Sequence, residues 1–208
     1  MIRPLLWLPL VALSMSTVAA NAQDSDIEEK ARALHKLAGA DYCDDIDNDP
    51  SGTGYEQWEI TYQPDWTDDE EQKQTVTLIQ AYCFSGAYNI SYNFYMHDEY
   101  QGVRPIAFAS PAFDVKYADD DYEGEVLGIT ITGMSADREL VNAWFDVETL
   151  TIRDNSKWRG IGDASSSGTW VFDQGAFSLQ TYEVDASYDG EINPETLVDY
   201  RKAKTKQN

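Results

Sequence analysis

The chain has 208 residues and carries 37 Asp and Glu against 15 Lys and Arg, a formal net charge of −22. Such a charge repels nucleic acid and anionic membrane surfaces, and it suits cations or a basic protein partner. Its 42% hydrophobic and 12% aromatic content excludes a disordered chain, and the length suits one domain with a real core.

The N-terminus has the pattern of a cleavable export signal. Arg3 supplies a positive start, and Leu5 to Ala20 is apolar apart from Ser14, Ser16 and Thr17. Ala20-Asn21-Ala22 then provides the small-x-small cleavage pattern, which predicts processing after Ala22. The apolar run is shorter than a membrane-spanning helix needs and leads at once into acidic sequence. Its removal takes away Arg3 and no acid, leaving residues 23–208 as one β-rich domain with a net charge of about −23. The expected location is the periplasm or the medium. Cys43 and Cys83 are the two cysteines of the chain. In an oxidising compartment an even count without Cys-x-x-Cys spacing predicts one disulfide.

Ser25-Asp26-Ile27-Glu28 is a capping-box pattern ahead of Ile27, Ala31, Leu34 and Leu37/Ala38 at helical spacing. A short helix over 23–40 follows, stopped by Gly39. From Tyr55 the period changes to two. Trp58, Ile60 and Tyr62 alternate with polar residues, as do Tyr88, Ile90, Tyr92, Phe94 and Met96. Further strands are predicted over 75–84, 126–132, 149–153, 169–172 and 177–184, with turns at Ser85-Gly86, Tyr100-Gln101-Gly102 and Asp173-Gln174-Gly175. Leu140 to Phe145 fits either a short helix or a strand. The fold class is mainly β, an antiparallel sandwich or barrel rather than βαβ units. Asn193 as a cap and Pro194 in a first turn predict a second helix running into the basic tail Arg201, Lys202, Lys204 and Lys206.

Asp185-Ala186-Ser187-Tyr188-Asp189-Gly190-Glu191-Ile192 is the most specific local signal. Calcium takes several oxygens at close range, and alternate residues around a glycine turn deliver them, here Asp185, Ser187, Asp189 and Glu191. The segment resembles one calcium loop of a dockerin module, with Ile192 at the inward apolar position. Thr196 departs from that pattern at the twelfth position, where an acid is expected. A hairpin with Asp189-Gly190 as a two-residue turn is the competing reading. Asp45, Asp47, Asp49 and Glu56 share EF-hand spacing, but Pro50 stands where glycine is needed, and chance accounts for the array.

Lys157, Trp158, Arg159 and Asp163 flank Gly160-Ile161-Gly162. They suggest either an anion contact or a long hairpin loop, since the Gly-x-Gly-x-x-Gly spacing is missing. Gly-x-Ser-x-Gly and His-Glu-x-x-His are absent, so nucleophilic catalysis has little support, while the many acids leave paired carboxylates for glycoside hydrolysis open.

Several stretches together resemble a family of exported bacterial proteins known as domain of unknown function 1176. They are Cys83-Phe84-Ser85-Gly86-Ala87-Tyr88-Asn89, Phe108-Ala109-Ser110-Pro111, Leu140-Val141-Asn142, Phe145-Asp146, Lys157-Trp158-Arg159-Gly160-Ile161-Gly162-Asp163, Gly168-Thr169-Trp170, Tyr182 to Asp185, and Tyr188-Asp189-Gly190-Glu191. The resemblance implies export and an intact fold, in a branch where Ala164 replaces a cysteine common in the family. Phe145 to Phe177 is also similar, at fold level alone, to periplasmic lysozyme inhibitors, which are small β-barrels. The expected function is therefore a non-enzymatic, acidic binding protein of the bacterial envelope, stabilised by calcium and inhibitor-like toward a basic envelope protein. The alternative is an envelope glycan hydrolase using paired carboxylates.

Overall fold

Strand β2 (Gln74–Ser85) is buried on both faces from Val76 to Cys83. That requires a layer on either side of it, and the computed structural model, which describes residues 16–39 and 42–201, supplies both. Strands β1 (Tyr55–Tyr62), β2, β3 (Ile90–Asp98) and β4 (Gly102–Pro105) form one antiparallel sheet. Helix α1 (Ser16–Ala38) lies against β2, β3 and β4. On the helix side, His35 Nδ1 is 3.0 Å from the hydroxyl of Tyr95.

On the other face, Trp58 meets Phe145 at 5.3 Å between ring centroids, and Tyr62 meets Phe172 at 5.4 Å. Phe94 packs on Phe108, which packs in turn on Trp170. These rings bury a second antiparallel sheet, ordered β13-β12-β11-β9-β8. Its strands are β8 (Trp144–Asp146), β9 (Thr151–Arg153), β11 (Ser165–Asp173), β12 (Ala176–Asp185) and β13 (Glu195–Asp199), with β10 (Ser156–Lys157) paired to β11. Alternation in β3 thus aims one set of side chains at the second sheet and the other at the helix, while β1 turns Trp58, Ile60 and Tyr62 inward and leaves Glu59 and Thr61 exposed. The architecture is a sandwich with a helical outer layer, not a closed barrel.

A two-stranded ribbon completes the fold: β5 (Phe108–Tyr117) and β6 (Val126–Asp137), with β5 lying on β12. Phe108 anchors it, fully buried between Phe94 and Trp170. The indole of Trp170, itself fully buried, donates to the carbonyl of Ala109 at 2.9 Å. The ring lies over Gly168, where any side chain would strike it. The disulfide joins Cys43 to Cys83 and ties the segment after α1 to β2. Closing a loop with a sequence separation of 40 contributes about 4 kcal/mol in the chain-entropy model.

The strand at 75–84 extends to Gln74–Ser85, that at 126–132 runs on to Asp137, and 169–172 starts at Ser165. Leu140 to Phe145 resolves into the ends of two short strands, β7 (Glu139–Val141) and β8, with Asn142 between them at φ 48°. Two expectations fail, and one strand is unforeseen. The capping box at Ser25 lies inside α1, which begins at Ser16 and continues through Ala22 and Gln23. The second helix after Pro194 is strand β13, because Val198 is buried opposite Tyr182 and a helix would forfeit that ladder. Strand β5 has no counterpart among the predicted elements, since Pro111 reads as a breaker; it survives here in the two-stranded ribbon, opposite Met134. Residues 1–15 of the export signal and the lysines of the basic tail lie outside the described residues.

Candidate functional site

Lys157 leaves β10 and the chain returns at Ser165, so the glycine-rich segment is the hairpin loop of β10 and β11. The Trp158 N–H donates to the Ala164 carbonyl at 2.8 Å, and Gly162 N–H donates to Arg159 O at 2.9 Å. Gly162 takes φ 75°, which a side chain would strain, and a Cβ there would meet the aliphatic stem of Lys157. This turn places Arg159 and Asp163 side by side. Arg159 Nε donates to Asp163 Oδ1 at 2.6 Å, and Nη2 donates to Oδ2.

Asp163 is only 1% exposed, and it reaches further than its own loop. Its Oδ2 also accepts the amide of Gly190 at 2.9 Å. Arg159 Nη2 donates to the carbonyl of Tyr188 at 2.8 Å, and its guanidinium lies 5.1 Å from the Tyr188 ring centroid. The bidentate Arg159 contact holds the Asp163 carboxyl well below the usual carboxylate range; burial opposes this, and the Gly190 amide adds to it. Two segments that the sequence separates, 157–163 and 188–190, are therefore one clamp.

Two asparagines extend it. Asn89 Nδ2 donates to the Lys157 carbonyl at 2.8 Å, and Asn89 Oδ1 accepts from Asn142 Nδ2 at 2.9 Å. Asn142 Oδ1 accepts from Ile90 N–H, and Nδ2 also donates to Asn155 O. The hydroxyl of Tyr88 donates to Trp158 O at 3.2 Å. Trp158 itself stacks nearly parallel on Phe113, with Nε1 donating to Ser166 Oγ. Trp158, Arg159 and Asp163 are thus all engaged in contacts within the clamp.

The 185–192 segment sits in the loop joining β12 and β13, longer than a two-residue hairpin turn. Asp185 is buried and satisfied from within: Oδ1 accepts the amide and hydroxyl of Ser187, and Oδ2 accepts Asn193 N–H at 2.7 Å. Asp189 turns instead to the amide of Glu191. Ile192 is 73% exposed rather than inward. Among the described residues no three of His, Cys, Asp or Glu gather as a metal-holding group, and the Asp185 carboxylate is occupied by Ser187 and Asn193. The Asp45–Asp49 array is likewise dispersed: Asp45 caps a turn, Asp47 meets Arg32, and Asp49 holds Ser51.

The rim of the clamp is acidic and aromatic. The loop from Tyr117 to Glu125, with Asp119, Asp120, Asp121, Glu123 and Glu125, docks on it through two tyrosines. Tyr117 donates to Ala186 O at 3.1 Å, and Tyr122 meets the Tyr188 ring edge-on at 5.5 Å while remaining 60% exposed. Beside it, Phe84, Tyr88 and Asn89 line a depression of about 290 Å³. These tyrosines and asparagines carried no assigned role in the sequence; the family-like stretches holding Tyr88, Asn89, Asn142 and Tyr188 were the signal that marks them. Asp154, also unassigned, accepts Gly168 N–H at 2.6 Å, and burial pushes its carboxyl up to about 7.

A family model, described as protein of unknown function (DUF1176), matches residues 12–192. The chain belongs to the DUF1176 family. No curated protein and no solved structure matches it. In DUF1176 terms, Lys157–Asp163 and Tyr188–Gly190 are two halves of one structural device, with the acidic loop mounted on it.

Proposed function

We infer that this DUF1176 protein is exported and acts as a non-enzymatic binding protein of the bacterial envelope, taking a basic protein partner. One observation carries the reading: the acidic loop 119–125 is held on a rigid aromatic clamp rather than left as a free connection. Exposed tyrosine beside clustered carboxylates suits a cationic surface, by long-range steering and by aromatic contact. The disulfide supports an oxidising compartment, and the N-terminal pattern supports export. The test is capture of a basic protein from periplasmic extract on the immobilised chain, eluted by salt. Neutralising Asp120, Asp121 and Glu123 together, to Asn, Asn and Gln, is expected to abolish capture. Capture that is insensitive to both salt and the triple substitution would sink the reading.

The hydrolase alternative would draw on Asp154, whose carboxyl is pushed up to about 7 by burial, with a smaller push from the charge of Asp137. Turnover of peptidoglycan that Asp154→Asn abolishes would replace the binding reading with that one.

A further inference from the structure

Every sheet has edges, and the edges of this fold are guarded unequally. The edge strands β1 and β13 carry Glu56 and Glu59, and Glu195 and Asp199, respectively. β4 is four residues long and contains Arg104, and β8 is three residues long and ends in Asp146. Short length and charge are the usual means of keeping an edge from pairing with another chain.

Strand β6 has neither. It runs for 12 residues, pairs with β5 alone among the described strands, and carries no charged side chain from Val126 through Ala136. Leu127, Ile131 and Met134 are 55%, 42% and 53% exposed. Bulges against β5 fall at Leu127 and Thr132 and leave Gly128–Ile131 and Gly133–Asp137 as regular stretches. In a chain of net charge −22, a long uncharged edge is the place where another strand approaches with least electrostatic cost.

Charge selects the occupant. The acidic loop ends at Glu125, directly before β6, and Asp137, Arg138 and Glu139 follow it. A second copy added antiparallel would bring its Asp137 and Glu139 onto the acidic loop of the first. A strand whose C-terminal end is basic meets that loop favourably. We propose that β6 is a docking edge for an extended, uncharged segment of the basic partner, added antiparallel and followed by lysine or arginine residues that contact loop 119–125. This rests on the binding function inferred above and names the mode of binding.

The probe is a short labelled peptide of alternating valine and threonine ending in a run of lysines, with oligolysine as a control. Anisotropy with the full chain is expected to show binding that weakens with added salt. Hydrogen exchange is expected to slow at alternate amides between Val126 and Asp137 when peptide is present. Thr130→Lys with Thr132→Lys should weaken binding measurably, because lysine on an edge strand disfavours pairing with another strand; Met134→Lys, at an exposed side chain, gives an independent check. Near-UV circular dichroism verifies that each variant is folded. Undiminished binding to both variants, or unprotected β6 amides, would overturn the edge while leaving the basic partner standing. Failure of both peptide and oligolysine to bind at low salt would overturn the partner reading itself. Protection of β6 that rises with protein concentration, without peptide, would make a second copy the occupant and overturn the proposal.

Discussion

Asp163 and Gly190 lie on different loops, and the carboxylate of the first accepts the amide of the second at 2.9 Å. That single bond couples the β10–β11 hairpin loop to the loop after β12, and Arg159 braces it from the other side. Removing a partner from so buried a carboxylate is costly, because the remaining charge loses its compensation.

Asp163→Asn is therefore expected to lower Tm by on the order of 10 °C and to speed amide exchange at Gly190. Arg159→Lys should act in the same direction, since an ammonium cannot span both oxygens. The Asp163 carboxyl is depressed, so its contribution is present above the unfolded value of about 3.9 and is lost only as pH falls through the lower folded value. Protection of Gly190 should persist at about pH 4 in the wild type. A Gly190 amide that exchanges equally fast in wild type and Asp163→Asn would show that the bond does not hold the loop.

Asp154 has the opposite sign. Its folded value of about 7 exceeds the unfolded one, so between roughly pH 4 and 7 the folded chain holds a proton that the unfolded chain has released. Stability from this group falls as pH rises through that window and levels off above it, by no more than about 4 kcal/mol. Asp154→Asn keeps an acceptor for the Gly168 amide and should remove the slope, making the variant the more stable protein at about pH 8. Denaturant melts across the pH range check it; an unchanged slope would refute the assignment.

Gly168→Ala should be costly for its size. The added methyl enters the Trp170 ring, and that indole cannot swing away without giving up Ala109 and the ribbon anchor. A loss of about 1–3 kcal/mol is expected for such overpacking, with red-shifted tryptophan emission. A neutral substitution would mean that the ring has room to move.

The 185–192 loop is ordered by its own hydrogen bonds, so saturating calcium is expected to leave Tm unchanged. Asp185→Ala, which strands the Ser187 and Asn193 donors, should lower stability by about 1–3 kcal/mol. A calcium-dependent rise in Tm that Asp189→Ala removes would refute this and support calcium binding at the loop.

What could be read along the chain was what depends on near neighbours. Period-two alternation in β1 and β3 exposed the strands, because each side chain's face follows from its parity. The glycine at 162 and the Asp173-Gln174-Gly175 turn were legible for the same local reason, and the two cysteines predicted their own bond. The helix read after Pro194 shows the limit. Asn193 and Pro194 are sound helix-start residues, yet Val198 becomes strand because Tyr182 offers a ladder and a buried place beside it.

Asp185 carries the same lesson for chemistry. Its spacing to Ser187 and Asp189 suits calcium, but spacing does not say which way a carboxylate turns, and this one turns to Ser187 and Asn193. The sequence by itself determined the acidity, the strand at β2, the disulfide and the uncharged run of β6. Only the tertiary structure decided that Asp163 meets Gly190, that Tyr122 rests on Tyr188, and that β6 lies at an edge. Charge and periodicity are carried by single residues and their neighbours, whereas a contact across loops exists only once the packed sheets have brought those loops to one corner.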